Sequence, residues 1–252
     1  MYSGTALLKP LILFLLLFFQ MQWVQAEPIV ISYLHGTPNS FLGKALLQRI
    51  YQKAGIEVRF EKYTSALSLR LSSQGKIDGE THRIYSLAKD FPNLVRVPTA
   101  FSYVAPSAFV NKQSGINFKV EGWSSLAQYH VGAVQGMRFA ELGLKSRMDS
   151  VESVSSSDQL LRMLQSQRID IAVTGQINGL YHIKALGLNN IEVLTPAIEK
   201  EDLYHYLHQR HQALVPLLDK TIQQMIASGE LLRLRKRLVN LMLDELVSID
   251  SP

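Results

Sequence analysis

Apolar and polar positions divide the first third of the chain into alternating short strands and helices. The β-branched run from Ile29 to Leu34 predicts a buried strand. From Phe41 to Ala54 apolar residues recur at helical spacing, and Gly55 follows as the residue that can end this helix in a left-handed conformation. A second strand is predicted over 57–61 and a second helix over 65–73. Such alternation with short connections is typical of an α/β protein with a largely parallel sheet.

The same alternation begins again after residue 129. Strands are predicted over 130–134 and 169–174, and helices from about Phe139, from a cap at Ser157, over 213–228 and over 231–243. A three-residue pattern also occurs twice, as Lys76-Ile77-Asp78 and as Arg168-Ile169-Asp170, each time between a helix end and a strand. The sequence therefore predicts two similar α/β lobes of about 80 to 100 residues, which is enough for each to have its own core.

The N-terminal 26 residues have the layout of a secretory signal peptide. Lys9 precedes the apolar run Leu11–Phe19, and a polar stretch then leads to Ala26. The run is shorter than the roughly 20 residues that a membrane-spanning helix needs. We expect cleavage after Ala26 and a mature chain outside the cytoplasm, with a membrane anchor as the alternative.

Composition narrows the possible functions. The chain has 252 residues, a formal net charge of +5 and no cysteine. The absence of cysteine excludes thiol catalysis, thiolate metal sites and disulfides. Nucleic-acid binding normally requires concentrated basic surface, which this weak positive charge does not indicate. The sequence also has no Gly-x-Ser-x-Gly, phosphate-loop or His-Glu-x-x-His motif.

Four stretches, taken in their order along the chain, resemble a known family. They are Gly75-Lys76-Ile77-Asp78-Gly79, Thr81-His82-Arg83, Val131-Gly132-Ala133-Val134-Gln135-Gly136 and Arg168-Ile169-Asp170-Ile171-Ala172-Val173. Together they resemble the extracellular solute-binding proteins of family 3, the periplasmic receptors for polar amino acids. The resemblance extends over residues 27–240. It implies a type II periplasmic binding protein-like fold, with two α/β lobes joined by two hinge strands.

The resemblance also implies a division of the chain. The chain crosses to the second lobe near 107–111 and returns near 203–208, so the lobe boundaries are expected at 27–108, 109–205 and 206–252. Ligand binds in the cleft and the lobes close over it, as is known for periplasmic binding proteins. A cleft between rigid lobes surrounds a small polar ligand and strengthens each charged hydrogen bond by excluding water.

The function implied by the resemblance is capture of a small polar or anionic, amino-acid-like solute. The protein would be a periplasmic monomer without cofactor or metal, would not bind nucleic acid, and would deliver its solute to an inner-membrane ABC permease or to a sensor. It would not be an enzyme. Two alternatives stay open. One is a dehydratase-like periplasmic enzyme, with Glu80 and His82 as proton-transfer groups, and the other is a ligand-free module that regulates a membrane partner.

Arg83 best matches the family's carboxylate-binding arginine. Its planar guanidinium would bind a ligand carboxylate through two hydrogen bonds. The alternative is an arginine in an ordinary surface salt bridge. In the second lobe, the family's helix start falls on Gly136, Met137 and Arg138, where backbone amides and the helix dipole would attract the carboxylate. Thr81 lies in the same stretch as Arg83 and completes this part of the predicted site.

The expected ammonium-binding acid is missing. The family places an aspartate five residues after the position of Asp170, and this chain has Gly175 there. A buried ammonium without a carboxylate partner loses its hydration with nothing to offset the cost. Either Glu80 or Glu141 replaces the aspartate, or the ligand is not an ordinary α-amino acid, and we favour the second interpretation.

Aromatic, histidine and basic residues add further candidates. Tyr33, Phe101 and Tyr103 are predicted either to stack on the ligand or to pack in the core and hinge. The histidines at 205, 208 and 211 have no acidic or cysteine neighbours at ligand spacing, so we expect no metal site. The basic run at 233, 235, 236 and 237 is predicted to lie on the solvated faces of a helix whose leucine stripe covers the core.

Overall fold

The structure is a computed structural model that describes residues 27–34, 36–145 and 150–248. Its strands are β1 (Ile29–Leu34), β2 (Val58–Tyr63), β3 (Gly79–Ile84), β4 (Leu94–Arg96), β5 (Ser102–Val104), β6 (Pro106–Asn111), β7 (Val131–Val134), β8 (Glu152–Val154), β9 (Ile171–Gly175), β10 (Ile191–Val193) and β11 (Glu201–His208). Its α-helices are α1 (Pro38–Ala54), α2 (Ser65–Ser73), α3 (Leu87–Asp90), α4 (Arg138–Gly143), α5 (Ser157–Gln165), α6 (Gln176–Ala185), α7 (Val215–Ala227) and α8 (Glu230–Ser248).

The predicted signal peptide and its cleavage site lie outside the described residues. Over the ranges that are described, none of the helices combines the length and the apolar character needed to cross a bilayer.

The first lobe is built on a sheet with the strand order β2-β1-β3-β11-β4, and β5 also pairs with β11. Strand β1 runs parallel to β2 and β3, whereas β11 runs antiparallel to β3, β4 and β5. Helix α1 packs its apolar face, including Leu46 and Ile50, into a core that Leu218 and Ile222 of α7 share. The helix ends at Gly55, whose φ of 71° is the left-handed conformation that glycine adopts without strain.

The second lobe has its own sheet, with the strand order β10-β6-β9-β7-β8. Strands β7, β8 and β9 are parallel, and β6 is antiparallel to β9 and β10. Phe109 lies fully buried between this sheet and Leu160, Leu161 and Leu164 of α5. Ser156 caps α5 by accepting a hydrogen bond from the Gln159 amide at 3.2 Å, one residue before the predicted cap. Two α/β lobes are therefore confirmed.

The sheets place both crossings slightly earlier than predicted. Among the described residues, β6 pairs within the second sheet and β11 within the first, so the chain crosses at Ala105. It returns after Ile198, whose N–H still donates to the Pro106 carbonyl of β6. The predicted crossings at 107–111 and 203–208 fall inside these two strands. Strand β6 is largely apolar, whereas β11 mixes charged, aromatic and aliphatic residues, and neither composition reveals which sheet the strand joins.

Parallel strands of the two lobes direct their carboxyl ends toward each other. Strands β1 and β3 end at Leu34 and Ile84, and β7 is followed by Gly136. These three residues line one common cavity between the lobes. In open α/β sheets this edge is where ligands bind, because the loops there leave a crevice.

Candidate functional site

A cavity of about 300 Å³ lies between the two lobes, and we call it the cleft cavity. Much of its wall is apolar, and a few polar groups converge on it. Its lining includes Leu34, Asn39, Ser65, His82, Arg83, Ile84, Asp90, Gly136, Met137, Arg138, Phe139, Glu141 and Asn178. A mostly apolar cavity with few polar groups is typical of sites for small molecules.

Arg83 lies on the wall of the cleft cavity, where Glu80 holds it in place. Its Nε and Nη2 atoms donate to Glu80 Oε2 at 3.0 and 2.7 Å, and Nη1 donates to Ser65 Oγ at 3.0 Å. The Arg83 side chain is 11% exposed and that of Glu80 is 2% exposed. Two of the five N–H groups of this guanidinium take no part in these contacts. Arg83 therefore presents a fixed donor whose charge a neighbouring carboxylate largely balances.

Three serine hydroxyls complete the surroundings of Glu80. Ser32 donates at 3.0 Å, Ser68 at 2.7 Å and Ser72 at 2.6 Å. A buried carboxylate is tolerated when it is paired and its oxygens accept several hydrogen bonds, and both conditions hold here. Glu80 is thus fully engaged behind Arg83, and it does not line the cleft cavity as a ligand ammonium partner would.

The opposite wall is the turn that leads into α4. Gly136, with φ of 81°, directs its N–H to Glu141 Oε1 at 2.9 Å, and the Met137 N–H donates to the Val134 carbonyl at 3.2 Å. Both amides are therefore bonded within the second lobe, which leaves them poorly placed for the predicted carboxylate contact. The side chains of Met137 and Phe139 supply apolar surface to the cavity instead.

Direct contacts join the lobes around the cleft cavity. Asp90 of α3 and Arg138 form an ion pair at 2.5 Å across the cleft, and both side chains are about half exposed. On the other side, the Asn39 amide donates to Asn178 Oδ1 at 2.9 Å in a buried contact. Phe139 packs against an apolar cluster of the first lobe. The structure therefore represents a closed arrangement of the lobes.

His82 is a wall residue that sequence reasoning considered only for proton transfer. It is 9% exposed, and burial, followed by the charges of Arg83 and Arg235, lowers the pKa of its ring to about 3. Its Nδ1 has no hydrogen-bond partner among the described residues, and the ring lies against Gly43. His82 is therefore neutral at physiological pH. It adds an uncharged polar group to the wall of the cleft cavity. No sequence motif indicates this placement.

The other predicted ligand residues lie elsewhere. Thr81 is buried and donates to the Ser32 carbonyl, and Phe101 belongs to the core of the first lobe. Tyr33 lies under the ammonium group of Lys44, which is 4.8 Å from the ring centroid. None of these three is among the described residues that line the cleft cavity, because each turns toward the body of its own lobe.

Tyr103 and Gly175 line a second cavity of about 290 Å³ beside Ala105, which we call the hinge cavity. Gly175 has no room for a side chain, since a Cβ there would lie 2.9 Å from Val104 Cγ2. Arg235 also lines this cavity and is only 7% exposed. The prediction that the whole basic run of the last helix is solvated is therefore wrong at Arg235, which reaches back to β5.

The histidines at 205, 208 and 211 make separate contacts. His205 is buried and contacts the Tyr51 hydroxyl at 2.9 Å and the Glu80 carbonyl at 2.8 Å. His211 contacts Asp78 at 2.5 Å, and His208 lies beside Gly75. Across the described ranges, no three histidine or acidic side chains come together as metal ligands would.

Comparisons with known proteins add information at the level of sequence and fold. No family model matches the chain. The chain is 26% identical over 216 residues to an uncharacterized protein of Shewanella oneidensis, which covers 82% of this chain and 80% of that protein.

Solved structures match the fold more clearly. A histidine kinase sensor domain with similarity to periplasmic binding proteins has a TM-score of 0.70 at 16% identity, over 84% of this chain and 96% of its own. The GluR0 ligand-binding core in complex with L-glutamate also has a TM-score of 0.70, at 10% identity, over 85% of this chain and 99% of its own. An ancestral arginine-binding protein bound to arginine has a TM-score of 0.68, at 16% identity, over 84% of this chain and 98% of its own. These similarities confirm the two-lobe, periplasmic binding protein-like fold.

Proposed function

We propose that the protein captures a small solute in the cleft cavity by closure of its two lobes. The observation that carries this proposal is Arg83, a guanidinium that Glu80 fixes on the wall of an otherwise apolar cavity. A rigid donor orients a ligand at low entropic cost, because its own side chain is already ordered. The two N–H groups of Arg83 that Glu80 and Ser65 leave free would bind a carboxylate or another acceptor on the solute.

The chemistry of the cavity favours a solute that is not an α-amino acid. Gly175 stands where the family has its ammonium-binding aspartate, and it lines the hinge cavity instead. Glu80 is saturated by its own partners, and Asp90 is paired with Arg138. Among the described residues that line the cavity, this leaves Glu141 for an ammonium group, and one of its oxygens already accepts from Gly136. The proposed solute is therefore a small acid or polar compound with an apolar body.

A periplasmic location and a membrane partner complete the proposal. The signal-peptide pattern of residues 1–26 and the fold support secretion followed by delivery to an inner-membrane permease or sensor. One structure with this fold is a histidine kinase sensor domain and another is an amino acid ABC transporter substrate-binding protein, so the fold occurs with both kinds of partner. An enzymatic role has less support, because Glu80 is locked in an ion pair and His82 has a strongly lowered pKa.

A thermal-shift screen tests solute capture. Small carboxylates, amino acids and neutral analogues are added to the purified protein, and a ligand that binds only the folded state raises its stability by about 2.7 kcal/mol at 100 times its Kd. Mass spectrometry of molecules that co-purify identifies a tightly held solute independently. A broad library without any stabilising member would contradict the proposal.

Two substitutions locate the binding site. Arg83→Lys keeps a positive charge beside Glu80 but loses the planar fork, and Met137→Trp fills the cavity. We expect both substitutions to reduce the thermal shift that the ligand produces. Arg70→Lys is the matched control, since Arg70 is exposed on the neighbouring helix α2 and does not line the cavity. Equal shifts in all three variants would remove the cleft cavity from the proposal.

A further inference from the structure

The hinge cavity has a chemistry that the cleft cavity lacks. It lies between the crossing at Ala105, the start of α6 and one face of α8. From α8 it is lined by Arg235 and Lys236, and from the second lobe by Gly175. No aspartate or glutamate is among the described residues that line it. The cavity is therefore positive without a balancing acid.

Arg235 is buried among neutral partners. Its Nη1 donates to Ser102 Oγ at 3.0 Å and its Nη2 to the Tyr103 carbonyl at 3.2 Å. The guanidinium carbon also lies 3.9 Å from the centre of the Tyr103 ring. Among the ion pairs of the described residues none includes Arg235. A buried guanidinium is normally balanced by a carboxylate or phosphate, because desolvating an unpaired charge is costly.

Two further features make the hinge cavity attractive to an anion. Lys236 is exposed and borders the cavity beside Arg235, so its ammonium group can approach a bound anion. The ten-residue helix α6 begins at the cavity with Gly175 as its N-cap, and the N-terminal end of a helix dipole favours negative charge. Neither feature alone defines a site, but both add to the unbalanced charge of Arg235.

Apart from Asn39, Gln176 and Asn240, the rest of the wall is mostly apolar. Val104, Ile177, Leu232 and Val239 contribute aliphatic surface, and Leu232 is 70% exposed. An inorganic ion would leave this surface uncovered, whereas an acid with a hydrocarbon body would cover it. A volume of about 290 Å³ limits the occupant to a small molecule.

We propose that the hinge cavity is a second binding site, which takes a small organic carboxylate with an apolar body at Arg235 and Lys236. Binding at this site does not require a solute in the cleft cavity. Its occupant touches both lobes, since Arg235 belongs to the first and Gly175 to the second. Asn39 and Val104 line both cavities, and Asn39 also carries a hydrogen bond between the lobes. The occupant therefore favours closure, and by linkage each site raises the affinity of the other.

Calorimetry on the purified protein with sodium benzoate as the probe tests the site, with benzamide as the uncharged analogue. Benzoate is expected to bind and benzamide to bind at least tenfold more weakly. Lys236→Gln is expected to weaken benzoate binding about two- to fivefold, which is the usual effect of losing one charge at an exposed position. Arg237→Gln is the matched control, because it removes the same charge from the next, exposed residue of α8, which does not line the cavity. Equal effects of the two variants would overturn the proposal.

Substitutions of Arg235 and of Arg83 separate this site from the cleft cavity. Arg235→Met is expected to abolish benzoate binding, and if that variant folds poorly, Arg235→Lys should still weaken it because the planar fork is lost. In protein freed of any co-purified solute, where no linkage between the sites operates, Arg83→Lys should leave benzoate binding in the hinge cavity unchanged. In amide-resolved NMR spectra benzoate should shift Tyr103 and Gly175. Shifts confined to Gly136 and Met137, or loss of binding in Arg83→Lys alone, would place benzoate in the cleft cavity and overturn the second site.

Discussion

Glu80 and Arg83 form an ion pair on one face of β3 although they lie three positions apart along the strand. In the neighbouring strand Tyr206 pairs with Glu80 and Tyr204 with Arg83, so three steps along β3 face two steps along β11. In a regular strand, residues three apart point to opposite faces. The extra residue is a bulge, and bulges redirect side chains in this way. The bulge therefore allows Arg83 to reach the carboxylate of Glu80 and to line the cleft cavity.

Glu80→Gln tests the energetic weight of this pair. The change leaves Arg83 without a counter-charge in a nearly buried position, and we expect the free energy of unfolding to fall by about 3–5 kcal/mol. Ser72→Ala removes one hydroxyl donor only and should cost about 1–3 kcal/mol. Urea unfolding monitored by circular dichroism measures both. Glu192→Gln, at an exposed position of β10, is the control. A loss in Glu80→Gln no larger than that of the control would contradict the assigned role of the pair.

The ion pair between Asp90 and Arg138 should influence closure more than stability. Both groups are about half exposed, so the pair contributes at most about 1 kcal/mol, and Asp90→Asn should barely change unfolding. The same energy is enough to shift a balanced open–closed equilibrium up to about fivefold.

Fluorescence energy transfer between the lobes measures this shift. The chain has no cysteine, so Gln52→Cys in the first lobe and Ser166→Cys in the second give two specific labelling positions. Asp90→Asn should increase the population with a long distance between the dyes. At about 1 M salt the Debye length falls to about 3 Å, so the pair is weaker and the difference from wild type should become smaller. An unchanged distribution at low salt would show that the pair does not hold the lobes together.

Local patterns predicted several elements of the fold well, but helix α6 and strands β8 and β10 were not predicted. Strand β1 and helix α2 have the predicted limits, because a β-branched run and a helical period are read within one short segment. The candidate site was less predictable. Arg83 was singled out through the family resemblance, but its pairing with Glu80 depends on a bulge that the sequence of β3 does not signal.

Arg235 shows why long-range packing limits such predictions. The leucine stripe of α8 indicates the buried face correctly at Leu231, and a period of 3.6 places Arg235 near its edge. Its burial depends on Ser102 and Tyr103, which lie more than one hundred residues earlier and on another element. A periodic pattern describes one helix and cannot show which strand that helix meets.

Gly43→Ala tests the packing behind the cleft cavity. A Cβ at residue 43 would lie 2.3 Å from His82 Nδ1, so the ring must move toward the cavity. We expect a loss of about 1–3 kcal/mol in unfolding free energy, which is the usual cost of overpacking, together with weaker solute binding. Gln48→Ala, at an exposed position of the same helix, should be close to neutral. Wild-type stability in Gly43→Ala would mean that His82 has room to move.

Two buried histidines, His82 and His205, should make the fold sensitive to acid. Burial lowers the pKa of His82 to about 3 and that of His205 to about 4, whereas histidine in an unfolded chain titrates near 6.5. Below pH 6.5 the unfolded chain therefore takes up protons that the folded protein refuses. The stability present above pH 6.5 is lost as the pH falls toward 4, by about 1.4 kcal/mol per pH unit for each histidine.

Variants assign this loss to particular residues. His205→Gln removes one of the two histidines that take up a proton on unfolding. Its unfolding free energy, measured in urea at pH 7, 6 and 5, should therefore fall less steeply with decreasing pH than that of wild type. Any loss of the contact with Tyr51 affects all three pH values alike and does not change the slope. His130→Gln, at an exposed position, should keep the wild-type slope. Parallel slopes in all three proteins would contradict the view that the buried, neutral state of His205 makes the fold sensitive to acid.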